Sequence, residues 1–183
     1  MDKKTARKTG RESRSFLHEE EARKKSSVIA EKLKTIVQDC GTVCCYVSLP
    51  DEVRTDELIA WMLEKGIRVT VPKTVGGTLE FHEIFSLEEL VPGAFGVREP
   101  AAERPVGIGE CDMVIVPVCA FDEHCARVGY GRGYYDSVLA GAKHAVGIAY
   151  EVQKTDIIET DPWDVPLDEI VTEARKYVRS QTI

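Results

Sequence analysis

Residues 112–118 read Asp-Met-Val-Ile-Val-Pro-Val, an apolar run with no polar alternation after its first residue. A short, β-branched run of this kind predicts a strand covered on both faces, the pattern of a central strand in a parallel sheet. Parallel neighbours cannot be joined by tight turns and need crossover connections, usually helices. The run therefore calls for an α/β chain, and the sequence on either side supplies the parts. Residues 42–48 (Thr-Val-Cys-Cys-Tyr-Val-Ser) form a β-branched strand. Thr55 can cap a helix that carries Asp56 and Glu57 in its first turn, where negative charge is favoured. Gly66 stops that helix. Residues 67–71 are the next strand, ended by Pro72, so residues 42–72 make a βαβ unit. A second unit follows from residues 112–118, a helix from about 134 to 140, and a strand at 145–149, with a right-handed crossover expected. The predicted fold is a three-layer α/β/α arrangement in one domain, residues 1–183.

The remaining segments read less sharply. Residues 3–37 predict a helix with a break at Gly10 and an apolar stripe of Ala22, Val28, Ile29, Leu33, Ile36 and Val37. Residues 79–84 predict a strand after the Gly76-Gly77 turn. Ser86 with Glu89 is a capping-box pattern for a short helix. Residues 91–110, with three prolines, form a long loop of the kind that often carries function. A last strand is expected near 169–172.

Composition narrows the function. The chain has 183 residues and a net charge of −7, which argues against a general nucleic-acid partner. Nothing approaches the ~18 apolar residues of a membrane span, and the charged start is not an apolar signal sequence. A cytoplasmic protein is expected. Its six cysteines form no Cys-x-x-Cys pair. Cys44 and Cys45, adjacent on a strand, point to opposite faces. Buried free thiols fit better than a metal site. Charge is uneven, since residues 1–34 hold eleven Lys/Arg against six Asp/Glu. That basic end is either a solvated helix or part of an anion site.

The chemistry concentrates in Arg127-Val-Gly-Tyr-Gly-Arg-Gly-Tyr-Tyr-Asp136, which leaves the carboxyl end of the central strand. Ligands bind at that edge of open α/β sheets. Gly129, Gly131 and Gly133 let the backbone present N–H groups, a helix start follows, and Arg127 and Arg132 can fork onto phosphate oxygens. The loop matches neither a Walker A nor a dinucleotide fingerprint. Asp136 can hold magnesium against phosphates or simply face water in a first helical turn. Glu52 follows the first strand and can bind a polar group of a substrate or serve the turn. Tyr134 and Tyr135, as neighbours, face different ways. Trp61 reads as core, Lys73 as solvated, and His82, His124 and His144 as structural.

The order of motifs resembles the 5-formyltetrahydrofolate cyclo-ligases, also called methenyltetrahydrofolate synthetases. The matching pieces are Lys3-x-x-x-Arg7, Asp51-Glu52-x-x-Thr55, Val71-Pro72-Lys73 and Phe95-Gly96-Val97-x-Glu99-Pro100. Val116-Pro117-x-x-Ala120-Phe121-Asp122, the Arg127 to Asp136 loop, and Asp164-x-Pro166-x-Asp168-x-Ile-Val-Thr172-Glu173 complete them. The resemblance implies a Rossmann-like fold similar to the sugar-phosphate isomerase and CoA-transferase group. It implies ATP- and magnesium-dependent conversion of 5-formyltetrahydrofolate, with or without a polyglutamate tail, to 5,10-methenyltetrahydrofolate. The formyl oxygen is phosphorylated, N10 closes the ring, and phosphate leaves. Carried over by position, Lys3, Arg7, Arg127, Gly129, Gly131, Arg132, Gly133 and Tyr135 are expected at ATP. Glu52, Gly96, Glu99 and Tyr134 are expected at the folate, Asp136 at magnesium, and Arg132 and Tyr134 at the chemistry. A monomer with no nucleic-acid or membrane partner is expected.

Two departures stand out. Trp163 replaces the family's usual histidine before Asp164, and Glu123-His124-Cys125-Ala126 lacks the usual glycine of that turn. The alternatives are a folate- or nucleotide-binding paralogue without turnover and a different ATP-dependent small-molecule ligase on the same scaffold.

Overall fold

The computed structural model describes residues 1–180. The chain begins with helix α1 (Lys3–Ser15) and helix α2 (Glu19–Val37), then strand β1 (Thr42–Cys45), helix α3 (Asp56–Glu64), strand β2 (Arg68–Val75) and strand β3 (Thr78–Ile84). Strands β4 (Leu90–Pro92) and β5 (Arg98–Pro100) pair as a small ribbon inside the expected long loop. Then come β6 (Met113–Pro117), β7 (Ala120–Phe121), β8 (Arg127–Val128), helix α4 (Tyr134–Leu139), β9 (Ala145–Ile148), β10 (Glu169–Val171) and β11 (Lys176–Val178).

The main sheet has the order β11-β10-β9-β6-β1-β2-β3. Its inner neighbours are parallel, and the two edges, β3 and β11, are antiparallel. The expected central strand is central: β6 lies between β1 and β9. The strand order reverses between β1 and β6, because β2 lies on one side of β1 and the chain returns on the other. That switch point is where an open α/β sheet leaves a crevice beyond its carboxyl ends.

One face of the sheet buries Val43, Cys45, Val69 and Ile115 against Leu33 of α2 and Leu58 and Met62 of α3. The other buries Cys44, Val114 and Val116 with Leu139 of α4 and Leu167. Cys44 and Cys45 do part to opposite faces, and all six cysteines are free thiols, five of them buried. Of the expected stripe on α2, Ile29, Leu33 and Val37 are buried, while Val28 is 45% exposed.

Several local expectations change. Gly10 does not break the first helix; the break falls at residues 16–18. Gly10 is there because α1 crosses β7 closely, and a Cβ would lie 2.2 Å from the Cys119 carbonyl oxygen. Pro72 does not end its strand, since β2 runs on to Val75 paired with β3. Thr55 stands at the α3 start without capping through its side chain; its Oγ1 donates to the Tyr46 carbonyl at 2.8 Å. Ser86 opens only a short 3-10 turn, and the edge strand β11 was not expected. Trp61 is half-buried under Lys34 and Lys65 rather than fully in the core. His82 is structural, as expected, accepting from the Arg104 amide at 3.0 Å.

Candidate active site

Two adjoining cavities open at the switch point. The first is mostly apolar, as small-molecule sites usually are. Its floor comes from Tyr46 and Val47 just beyond β1, Pro72 within β2 and Pro117 at the end of β6, and its mouth from Phe95 and Val97. The second is a polar cleft lined by Lys3, Arg7, Arg127, Gly129, Asp136 and Asp164. Arg127, Gly131, Gly133 and Asp136 line both, so the glycine loop is the partition.

The loop holds this place through its backbone. Gly131 and Gly133 have φ of +88° and +70°, a region that side chains disfavour. Gly131 also lies against the Arg7 guanidinium, which a Cβ would approach to 3.3 Å. Arg7 Nε donates to the Gly129 carbonyl at 2.6 Å, tying α1 to the loop. Helix α4, which follows, has six residues, so its dipole is small. The positive character of the cleft comes from side chains instead.

Those side chains are held in advance. Arg127, with a side chain 4% exposed, pairs through Nη2 with Asp136 Oδ1 at 2.9 Å. Its Nε is buried without a partner among the described residues, and burial pulls the guanidinium below its ordinary range. Lys3 Nζ donates to Asp161 at 2.6 Å and pairs with Asp164. Desolvation works against its charge, but the two carboxylates hold Lys3 above the ordinary lysine range. Arg7 has no carboxylate partner among the described residues. Arg7 and Arg127 both line the cleft that an anion would enter.

Glu52 lies 5% exposed in the apolar cavity. Its Oε2 accepts from the Leu49 amide at 2.7 Å and its Oε1 from the Tyr130 hydroxyl at 2.8 Å. Burial raises its carboxyl above the ordinary range, against the lowering effect of those two bonds and of Arg14.

The structure places the expected residues as follows. Lys3, Arg7, Arg127, Gly129, Gly131, Gly133 and Asp136 do meet at the polar cleft. Glu52, Glu99 and Tyr134 line the apolar cavity. Glu99 accepts from the Thr74 amide at 3.0 Å, which fixes the 93–97 turn over the mouth. Three placements differ from expectation. Tyr135 lines the apolar cavity, not the polar cleft, because the first turn of α4 aims its ring at the sheet, where burial raises its phenol well above normal. Arg132 also belongs to the apolar side, its guanidinium stacked 3.8 Å from the Phe95 ring centroid. Gly96 lines neither cavity; its φ of +76° serves the turn that carries Phe95.

Sequence reasoning did not find Tyr130, whose hydroxyl joins Glu52 to Arg14. A tyrosine between two loop glycines carries no periodic signal. Arg14 could have been found from spacing, since Lys3, Arg7, Arg11 and Arg14 fall on one helical face.

A model of the 5-formyltetrahydrofolate cyclo-ligase family matches residues 1–173. The chain belongs to that family. This family member is 32% identical over 145 residues to the 5-formyltetrahydrofolate cyclo-ligase of Escherichia coli strain K12, which covers 74% of the chain and 80% of that relative. It is 38% identical over 107 residues to a probable 5-formyltetrahydrofolate cyclo-ligase of Schizosaccharomyces pombe, covering 55% of the chain and 52% of that relative, so the chain spans about half the latter's length. The NMR structure of the 5,10-methenyltetrahydrofolate synthetase of Aquifex aeolicus superposes with a TM-score of 0.87 at 31% identity, covering 99% of this chain and 95% of that one.

Proposed function

We propose that the protein converts 5-formyltetrahydrofolate to 5,10-methenyltetrahydrofolate, consuming ATP and releasing ADP and phosphate. The observation that carries this is the shared partition: an apolar cavity for a flat heterocycle and a cationic cleft for phosphates meet at Arg127, Gly131, Gly133 and Asp136.

The formyl oxygen attacks the γ-phosphorus, and the bond to the β-phosphate oxygen breaks to give ADP and an N5-iminium phosphate. N10 then bonds to the activated carbon and loses its proton. The C–O bond to phosphate breaks, leaving the methenyl product. The protein positions the two substrates and stabilises charge. In this reading Arg7, Lys3 and Arg127 hold the phosphates. Glu52 accepts N–H groups of the pterin, and Tyr134 and Tyr135 wall its ring. Arg132 clamps the mouth through Phe95 and lends its charge to the reacting edge.

Magnesium fits the residues present. No group of three or more His, Cys, Asp or Glu that could cage an ion occurs among the described residues. Asp136 uses Oδ1 for Arg127 and the Val165 amide, leaving Oδ2 available. One carboxylate beside phosphate oxygens is an ordinary magnesium arrangement. Bound there, the ion would neutralise charge on the phosphates.

The reading keeps the chain as one domain acting as a monomer and places it in the cytoplasm. No helix of the described residues is long and apolar enough to cross a membrane. It also places the fold in the Rossmann-like group, on the parallel inner sheet and its switch point. The experiment is direct: purified protein with 5-formyltetrahydrofolate and MgATP, followed by the absorbance of the methenyl product. Absence of product under those conditions sinks the activity.

A further inference from the structure

The Tyr130 hydroxyl is placed to do more than fill a loop. It donates to Glu52 Oε1 at 2.8 Å and accepts from Arg14 Nη2 at 3.2 Å. Arg14 is itself fixed, its side chain 2% exposed and its Nη2 also donating to Asp51 Oδ2. The Tyr130 ring lies beneath the Arg11 guanidinium, 5.6 Å from the centroid. A chain of contacts therefore runs from helix α1 through one exposed-edge tyrosine to a carboxylate inside the apolar cavity.

The groups that face Glu52 show why such a chain matters. Tyr46 just beyond β1, Tyr130 from the glycine loop and Tyr135 from α4 line the same cavity, while Asp51 in its own turn and Cys119 after β6 are close enough to feel its charge. Arg14, reached across Tyr130, supplies positive charge to this set. A carboxylate this buried tends to take up a proton. Protonated, it would present a donor where a pterin N–H needs an acceptor.

We propose that Tyr130 is a positioning residue for the folate, acting through Glu52: its hydroxyl transmits the Arg14 contact to Oε1 and keeps the carboxylate charged and aimed as an acceptor. The Leu49 amide fixes the other oxygen. With both oxygens held, the carboxylate is fixed in place on the wall of the cavity. This role rests on the cyclo-ligase reading of the apolar cavity.

The test is Tyr130→Phe, which keeps the ring under Arg11 and removes one oxygen. Equilibrium binding of 5-formyltetrahydrofolate is measured across pH, with ATP binding measured alongside. Folate affinity should fall about tenfold, the scale of one hydrogen bond to a charged group. ATP affinity should stay within about twofold, and the acid limb of folate binding should move to higher pH. In a Glu52→Gln background the same substitution should add less than about twofold, because the group it acts through no longer titrates. Equal loss for both ligands, an unmoved acid limb, or an undiminished effect in that background overturns the proposal. If the unaltered protein neither binds nor turns over the folate, the cyclo-ligase reading itself has failed, and the proposal falls with it; that outcome is distinct because it needs no variant.

Discussion

Arg127 and Asp136 stand nine residues apart on the two limbs of the glycine loop and close it with a 2.9 Å ion pair at the partition between the cavities. The pair gives Asp136 a duty to the loop, beside the one to a metal proposed for it. Substitutions can separate them. Asp136→Asn keeps an oxygen for Arg127 Nη2 and the Val165 amide, so the fold should survive while magnesium-dependent turnover falls by about a hundredfold or more. Asp136→Ala should also destabilise the protein by about 2–3 kcal/mol. That is below the full cost of breaking a buried pair, because Asp136 is 30% exposed. Thermal denaturation beside turnover at varied magnesium checks both, and parent-like turnover in the asparagine variant would remove the metal role.

Glu52→Gln should raise stability while weakening the folate. Burial raises the folded carboxyl above its unfolded value, so the buried charge costs stability as pH rises through that raised pKa. Removing the charge should therefore add stability at neutral pH. The gain should vanish at acid pH, where both side chains are neutral. Folate affinity should drop by at least about tenfold. Melting curves at neutral and acid pH, with folate binding, measure this; a less stable variant at neutral pH would contradict the sign.

Arg132→Ala should weaken folate more than ATP. Its guanidinium rests on Phe95 at the mouth of the apolar cavity, and an exposed contact of that kind contributes about 0.5–1 kcal/mol. A rise in the folate KM of about two- to fivefold is expected, with the ATP KM changed less. The opposite ranking would return Arg132 to the phosphates.

Gly10→Ala tests how α1 reaches the site. Alanine favours a helix interior by about 1 kcal/mol. Here its Cβ would meet the Cys119 carbonyl at 2.2 Å and the Ala120 Cβ at 2.7 Å. Strain should win, with a net loss of about 1–2 kcal/mol. Because the same helix carries Lys3 and Arg7, the ATP KM should rise with it. An alanine variant as stable and as active as the parent would show that the crossing is looser than this.

The parts legible in the sequence are those set by local pattern. The apolar run at 112–118 gave the central strand, and the glycines gave a loop at its carboxyl end. The rest depended on contacts made at a distance. Gly10 looked like a helix break because nothing local says that another strand passes beneath it. The side taken by Tyr135 depends on how α4 meets the sheet, which its neighbours cannot specify. Tyr130 and Arg14 become a pair only once α1 has docked. The edge strand Lys176–Val178 is short, and its one half-buried side chain, Tyr177, packs edge-on to Phe121. Cys125 is a more instructive case. It takes φ +66° in the turn that lacks the family's usual glycine, and the turn is held by Asp122 Oδ1 accepting from the amides of His124 and Ala126. Side-chain hydrogen bonds and burial of the thiol offset a backbone preference that the sequence displays as a defect.

Helix α1 is made from the first fifteen residues, yet Lys3 and Arg7 take their places from Gly129, Asp161 and Asp164. The segment that fastens Lys3 is more than 150 residues downstream. The cleft is thus built from two parts of the chain far apart in sequence, and it has no wall until the loop between them has closed.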